Sequence, residues 1–345
     1  MHDTQPTVHV TESTEEIRER IGSAARVPGG HYSPRLHSLV GEAGNVTAWL
    51  VSSARPGTLS RTVSRLWAES SGDAEQLLTA IVSTWDADGL VSVKLEDAEA
   101  EHAEMAERLG FTKLAQPVPS GPGTTAPHTA WVRYAAPWPH DDAPYYRQTT
   151  DFTCGPVSLL MAQAHWHGSE SITRDKERQI WRRATRFTGC GVRALSLQID
   201  RNDFDISVFD TEYLEPQVTP MEPRDARAFA NEEDNMLAEA AGIQVNERVC
   251  EVSEIVAELE RGSRVLVLID ELRFHGEPMP HWVVAHSHRD GVVLLNDPWV
   301  DAEEGETWVS AVDVPVNLEE LDAMAWWGEP PYRSVLVLRK AGGAA

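Results

Sequence analysis

QTTDFTCGPVSLLMA, residues 148–162, changes character at one cysteine: a polar stretch runs to Thr153, and an apolar helical pattern begins at Cys154. A thiol at the start of a helix meets the positive end of the macrodipole and N–H groups without helical partners, a setting that raises its reactivity. Gly155 lets a substrate come close to the backbone, and Pro156 suits the first turn, where its missing N–H costs nothing. Gln148 lies six residues upstream, near enough for its side-chain amide to face the same point as the Cys154 backbone N–H. Two such donors suit the oxyanion of an acyl-transfer intermediate. Taken singly, a cysteine is more often a small buried hydrophobe and a glutamine an exposed linker residue, so both readings need a partner elsewhere in the chain.

A thiol nucleophile needs an imidazole to take its proton and return it to the leaving amine, and that imidazole needs a group that fixes its tautomer. PHWVVAHSHRDGVVLLNDP, residues 280–298, supplies both. His281 opens one expected strand and Asp297 ends the next. A three-residue turn over Arg289–Gly291 sets residue 281 opposite 299, which makes Asp297 its same-face diagonal neighbour. A two-residue turn at Asp290-Gly291 pairs 281 with 300 and sends Asp297 to the wrong face. The chemistry therefore demands a three-residue or bulged turn. His286 and His288 share a strand face, but no third ligand has metal-site spacing and no H-E-x-x-H occurs, so no metal or other cofactor is expected. His165 and His167, two apart on a helix, point to different sides and read as packing or surface residues.

The chain has 345 residues, 41% of them hydrophobic, enough for two domains. AAPWPHDDAP, residues 135–144, has three prolines and an acidic pair, and the expected division is 1–136 and 137–345. In the first part, strand-like 62–70, helical 73–85, strand-like 91–97, helical 100–110 and a strand at 128–135 form an α/β set. In the second, helices at 154–166, 176–187, 224–243 and 253–262 precede three strands between 264 and 298, an α+β layout. Thirty Lys plus Arg against 54 Asp plus Glu give a formal charge of −24, which repels nucleic acids and anionic membranes. No apolar run is long enough to span a bilayer. The polar, acidic start lacks a secretory pattern, so a cytoplasmic protein is expected. Cys154, Cys190 and Cys250 form no C-x-x-C pair, against a disulfide framework or cysteine zinc site.

QTTDFTCGP, then PHWVV, then NDP resembles the bacteriocin-processing cysteine peptidases, which remove double-glycine leader peptides, and their free-standing relatives. ERQIWRRATRF, GCGVRALSLQ and VLVLIDELRFHGEPMPHWVV are similar to a bacterial subfamily often described simply as peptidase-like. The likeness runs over roughly residues 145–302. It implies a papain-like fold with Cys154 as nucleophile, His281 as base, Asp297 as orienting acid and Gln148 at the oxyanion. It also implies a peptide or protein substrate, and Cys190 matches a position that can shape the cleft. An isopeptidase, amidase or transpeptidase, or a non-catalytic peptide-binding module, is an alternative on the same residues. Residues 1–134 resemble a worn GNAT acetyltransferase domain, with EMAERLGFTKL like that fold's late helix and strand. Its phosphate-cradling turn would fall at SSGDAEQ, whose single glycine and acidic Asp73 and Glu75 do not suit acetyl-CoA. A scaffold or substrate-docking role is expected instead.

Overall fold

A computed structural model describes residues 7–22, 27–96, 100–120, 129–138, 143–186, 189–212 and 224–342. By internal contacts the chain divides into two compact units. The first comprises 1–116, 126–138 and 300–310, and the second 117–125, 139–299 and 311–345. This differs from a single cut after residue 136.

In the first unit the elements are β1 (Thr7–Thr11), α1 (Thr14–Ile21), β2 (Arg35–Val40), β3 (Val46–Ser53), β4 (Ser60–Ala68), α2 (Ser71–Ala87), β5 (Ser92–Glu96), α3 (Ala100–Arg108), β6 (Thr112–Lys113) and β7 (Ala130–Tyr134). The sheet order is β1-β2-β3-β4-β5-β7-β6. Only β4 and β5 run parallel, as the crossover through α2 requires. Leu77, Leu78, Ile81 and Trp85 of α2 bury themselves against Val63, Val93 and Leu95 of those strands. The N-terminus of α2 is capped from within: Ser70 accepts from Asp73 N–H, and its hydroxyl contacts the Asp73 carboxylate. Residues 300–310 count with this unit through buried polar contacts. Arg55 grips Glu306 with two bonds of 2.6 and 2.8 Å, and Thr307 Oγ1 donates to Glu96 at 2.6 Å.

The second unit contains α4 (Cys154–His167), α5 (Arg174–Ala184), α6 (Val192–Ser196), β8 (Phe204–Asp210), α7 (Arg224–Ala240), β9 (Val245–Asn246), α8 (Val252–Glu260), β10 (Arg264–Asp270), α9 (Leu272–His275), β11 (Pro280–Arg289), β12 (Val292–Asn296), the last residue of α10 (Trp308–Ala311), β13 (Val314–Asn317), α11 (Leu318–Met324) and β14 (Ser334–Lys340). The sheet order β13-β12-β11-β10-β14-β8-β9 is antiparallel except at the short β8–β9 pair. Helix α4 is buried over its first nine residues save Cys154, as expected of a helix that is apolar all round. Ser158 Oγ in α4 donates to the Trp282 carbonyl of β11 at 2.9 Å, which pins the helix to the sheet. The molecule is thus α+β, a mixed-sheet unit followed by a helix-packed antiparallel sheet. Among the described residues no helix is long and apolar enough to cross a membrane.

Candidate active site

Cys154 is the first residue of α4 and is partly exposed, whereas Cys190 and Cys250 are buried. Burial pushes the Cys190 thiol up to about 12, against a 3.2 Å contact with Thr185 Oγ1 that works the other way. The Cys250 thiol is also pushed up to about 12, mainly by burial. Both stay neutral near pH 7 and are poor nucleophiles. Gly155 has a packing reason to lack a side chain: a Cβ there would meet Trp282 Cδ1 at 3.1 Å and Cys190 Cβ and Leu195 Cδ1 at 3.2 Å. Trp282 Nε1 in turn donates to the Cys190 carbonyl at 3.0 Å. Cys190 therefore packs behind the start of α4, beside Gly155 and Trp282.

His281 Nε2 lies 2.7 Å from Asp297 Oδ1, with both side chains buried. The hairpin reaches this geometry by an unexpected route. Arg289 pairs with Val292, so the turn is the two residues Asp290 and Gly291, with φ of 48° and 79°. That pair of left-handed residues is the tight hairpin turn whose twist matches the flanking strands. The register then shifts by one between Ala285 and Ser287, where His286 is the extra residue of a β-bulge. Beyond the bulge Val284 pairs with Asn296, which carries 281 opposite 299 and brings Asp297 onto the His281 face. Asp297 is held further by Trp299 N–H at 2.8 Å on Oδ1 and His275 Nε2 at 3.3 Å on Oδ2. Its own carbonyl accepts from the Tyr145 hydroxyl at 2.9 Å.

A second carboxylate reaches the same imidazole. Glu271 Oε1 lies 3.0 Å from His281 Nδ1. On the β10 side Ile269 pairs with His281, so residue 271 is a same-face diagonal neighbour, as Asp297 is on the β12 side. Burial opposes charge on the ring, but the charges of Glu271 and Asp297, the Asp297 hydrogen bond and one with the Cys154 thiol hold the imidazole well above its ordinary pKa. A thiol, an imidazole and a carboxylate in sequence can pass a proton from sulfur to a leaving group and hold the resulting imidazolium.

Gln148 is buried, and its backbone N–H donates to the Pro298 carbonyl at 3.0 Å, next to Asp297. Its side-chain Nε2 donates to the Thr150 carbonyl at 2.8 Å, which commits one of its two amide hydrogens. The loop between Gln148 and Cys154 is clamped by Glu177, which is fully buried in α5. Glu177 Oε1 accepts from Thr149 N–H at 3.0 Å, Thr149 Oγ1 at 2.9 Å and Thr153 Oγ1 at 2.6 Å, and Oε2 accepts from Tyr146 at 2.9 Å.

Sequence reasoning passed over Glu177, Glu271 and His275. Glu177 lies in KERQIWRR, where a charged residue on a polar helix reads as solvent-facing. Glu271 was open to the same cross-strand counting that singled out Asp297, applied to the preceding strand. Among the described residues no group of three or more His, Cys, Asp and Glu side chains is arranged to hold a metal ion. His286 and His288 instead approach Asp313 at 3.1 Å and Glu260 at 3.3 Å.

Solved acetyltransferases align with the N-terminal part of the chain. The ribosomal-protein-S18-alanine N-acetyltransferase of Escherichia coli is 16% identical, over 37% of this chain and 90% of its own, with a TM-score of 0.28. The IAA acetyltransferase of Bacillus cereus is 12% identical, over 37% of this chain and 99% of its own, with a TM-score of 0.29. No curated protein matches the chain. Residues 143–339, more than half of the chain, match the sequence model described as the Peptidase_C39 like family, and the protein belongs to that family.

Proposed function

We propose that the protein is a cysteine peptidase that hydrolyses a peptide or protein amide through a thioester on Cys154. The observation that carries this reading is the buried His281 imidazole, bonded to Asp297 on one nitrogen and hydrogen-bonded with the Cys154 thiol. The Cys154 sulfur, as a thiolate paired with the protonated His281 ring, attacks the amide carbonyl, and Asp297 holds Nε2–H so that the imidazolium is stabilised in place. The oxyanion that forms faces the Cys154 N–H and the uncommitted Gln148 amide hydrogen. Collapse breaks the C–N bond, and His281 delivers its proton to the leaving amine. Water then attacks the thioester, His281 takes a proton from it, and the acid product leaves as the thiolate–imidazolium pair is restored. The likeness of QTTDFTCGP, PHWVV and NDP to the leader-removing peptidases supports a peptide as substrate. Three free thiols fit a reducing compartment such as the cytoplasm.

Incubating a defined peptide mixture with the wild type and with Cys154→Ala, followed by mass spectrometry of the products, tests the reading. New peptide termini should appear with the wild type alone. Identical product spectra from the two proteins would remove the peptidase assignment.

A further inference from the structure

We infer that Glu271 forms a subsite for a cationic group of the substrate, beside the Cys154 nucleophile. The inference rests on the reading of Cys154 as the nucleophile. Asp297 occupies His281 Nε2 at 2.7 Å, which leaves Nδ1 to face the thiol, and Glu271 Oε1 is already there at 3.0 Å. With the ring protonated, the Cys154 thiolate and the Glu271 carboxylate share one N–H donor and repel each other across it. Among the described residues the Glu271 side chain has no hydrogen-bond or ion-pair partner other than His281. The nearest cation in sequence, Arg273, is committed to Glu320 at 2.7 and 2.9 Å.

Glu271 is nonetheless reachable, because its side chain keeps 11% of its surface exposed. Leu272 and Met279, at 48% and 46% exposure, lie next to it in the chain and across the strand end, where Glu271 N–H donates to the Met279 carbonyl at 2.9 Å. A carboxylate whose chain neighbour and cross-strand neighbour are both exposed and apolar suits a cation on an aliphatic stem. The ligand chemistry is therefore a lysine- or arginine-like side chain, whose charge pairs with the carboxylate and relieves its repulsion with the sulfur as it binds. An amino terminus offers the same charge without the stem.

Methanethiosulfonate reagents read this on the thiol itself: the Cys154 sulfur attacks the sulfenyl sulfur, a disulfide forms and methanesulfinate leaves. The wild type should react with the ethylammonium reagent faster than with the ethylsulfonate reagent, and Glu271→Gln should lower that ratio about tenfold or more. Glu239→Gln, which removes the same charge from an exposed helical site, should leave the ratio unchanged. An equal ratio in Glu271→Gln and wild type overturns the inference.

A second measurement needs no variant. Nα-acetyl-lysine methylamide should protect wild-type Cys154 from a neutral thiol reagent, and Nα-acetyl-norleucine methylamide should not; equal protection by the two also overturns it. Protection by glycine methylamide alone supports the subsite and assigns it to an amino terminus. None of these readouts requires hydrolysis. A charge ratio that depends on Glu271 in a protein without amide turnover would refute the peptidase reading alone.

Discussion

His281 and Asp297 meet at 2.7 Å although the turn joining their strands is only two residues long. The tight turn alone would set them on opposite faces, and the single extra residue at His286 restores the register. The pairs 284 with 296 and 287 with 294 are those of a regular hairpin that lacks residue 286. Deleting His286 should therefore remove the bulge yet keep His281 beside Asp297, with turnover within about tenfold of wild type. Loss of turnover by orders of magnitude in a folded deletion variant would show that the bulge does more than set the register.

Cys154→Ala and His281→Ala should each lower turnover by several orders of magnitude without unfolding the protein. Because the groups act as a unit, the double variant should be little worse than either single one. Asp297→Asn should cost less, since Asp297 orients the ring and does not itself take the proton. Steady-state kinetics on one cleaved peptide compare all four; additive losses in the double variant would argue against a shared step.

Replacing Gln148 by Ala should cost roughly 2 to 4 kcal/mol of transition-state stabilisation, the range for one oxyanion donor, and the loss should fall on kcat. A rise in KM with kcat unchanged would make Gln148 a substrate-binding residue.

The proton on His281 links stability to pH. Its pKa in the folded protein lies well above the ordinary 6.5, held there by Glu271 and Asp297 against the opposing effect of burial. The folded state thus binds that proton more tightly than the unfolded chain does. The stability this contributes is complete below 6.5 and is lost as pH rises through the raised value. The Tm advantage of wild type over His281→Ala should narrow steadily as pH rises above about 7. A constant or widening gap would mean that the ring is not charged in the folded protein.

Several features of the fold are plain in the sequence because one periodicity dominates each. Residues 73–85 carry helical apolar spacing and residues 154–166 are an apolar run, and they form α2 and α4. The strands around 264–270, 280–289 and 292–296 are apolar runs broken by Asp-Gly and Asn-Asp-Pro. The antiparallel strands β2 and β3 were not recognised, because their buried faces carry polar groups. His37, Ser38 and Ser52 are all buried, and Arg61 of β4 donates to Ser52 Oγ at 3.2 Å. Burial, together with the charge of Arg61 and Arg35, keeps His37 neutral with a pKa near about 3. Such a face looks exposed to any reading that counts apolar residues. The same limit hid Glu177, whose four hydrogen bonds come from residues more than twenty positions away in sequence. It also hid the assignment of 300–310, which depends on a buried Arg55–Glu306 pair that joins distant parts of the chain.

The central claim is that His281 activates Cys154, and the rate of Cys154 carbamidomethylation by iodoacetamide at pH 6 tests it without any substrate. Peptide mapping of the alkylated protein should place the label on Cys154 and spare Cys190 and Cys250, whose thiols are pushed up to about 12. The wild-type rate should exceed that of His281→Ala at least about tenfold, because only the wild type holds an imidazolium beside the sulfur to stabilise the thiolate. Equal rates in the two proteins, or label spread evenly over the three cysteines, would contradict the account.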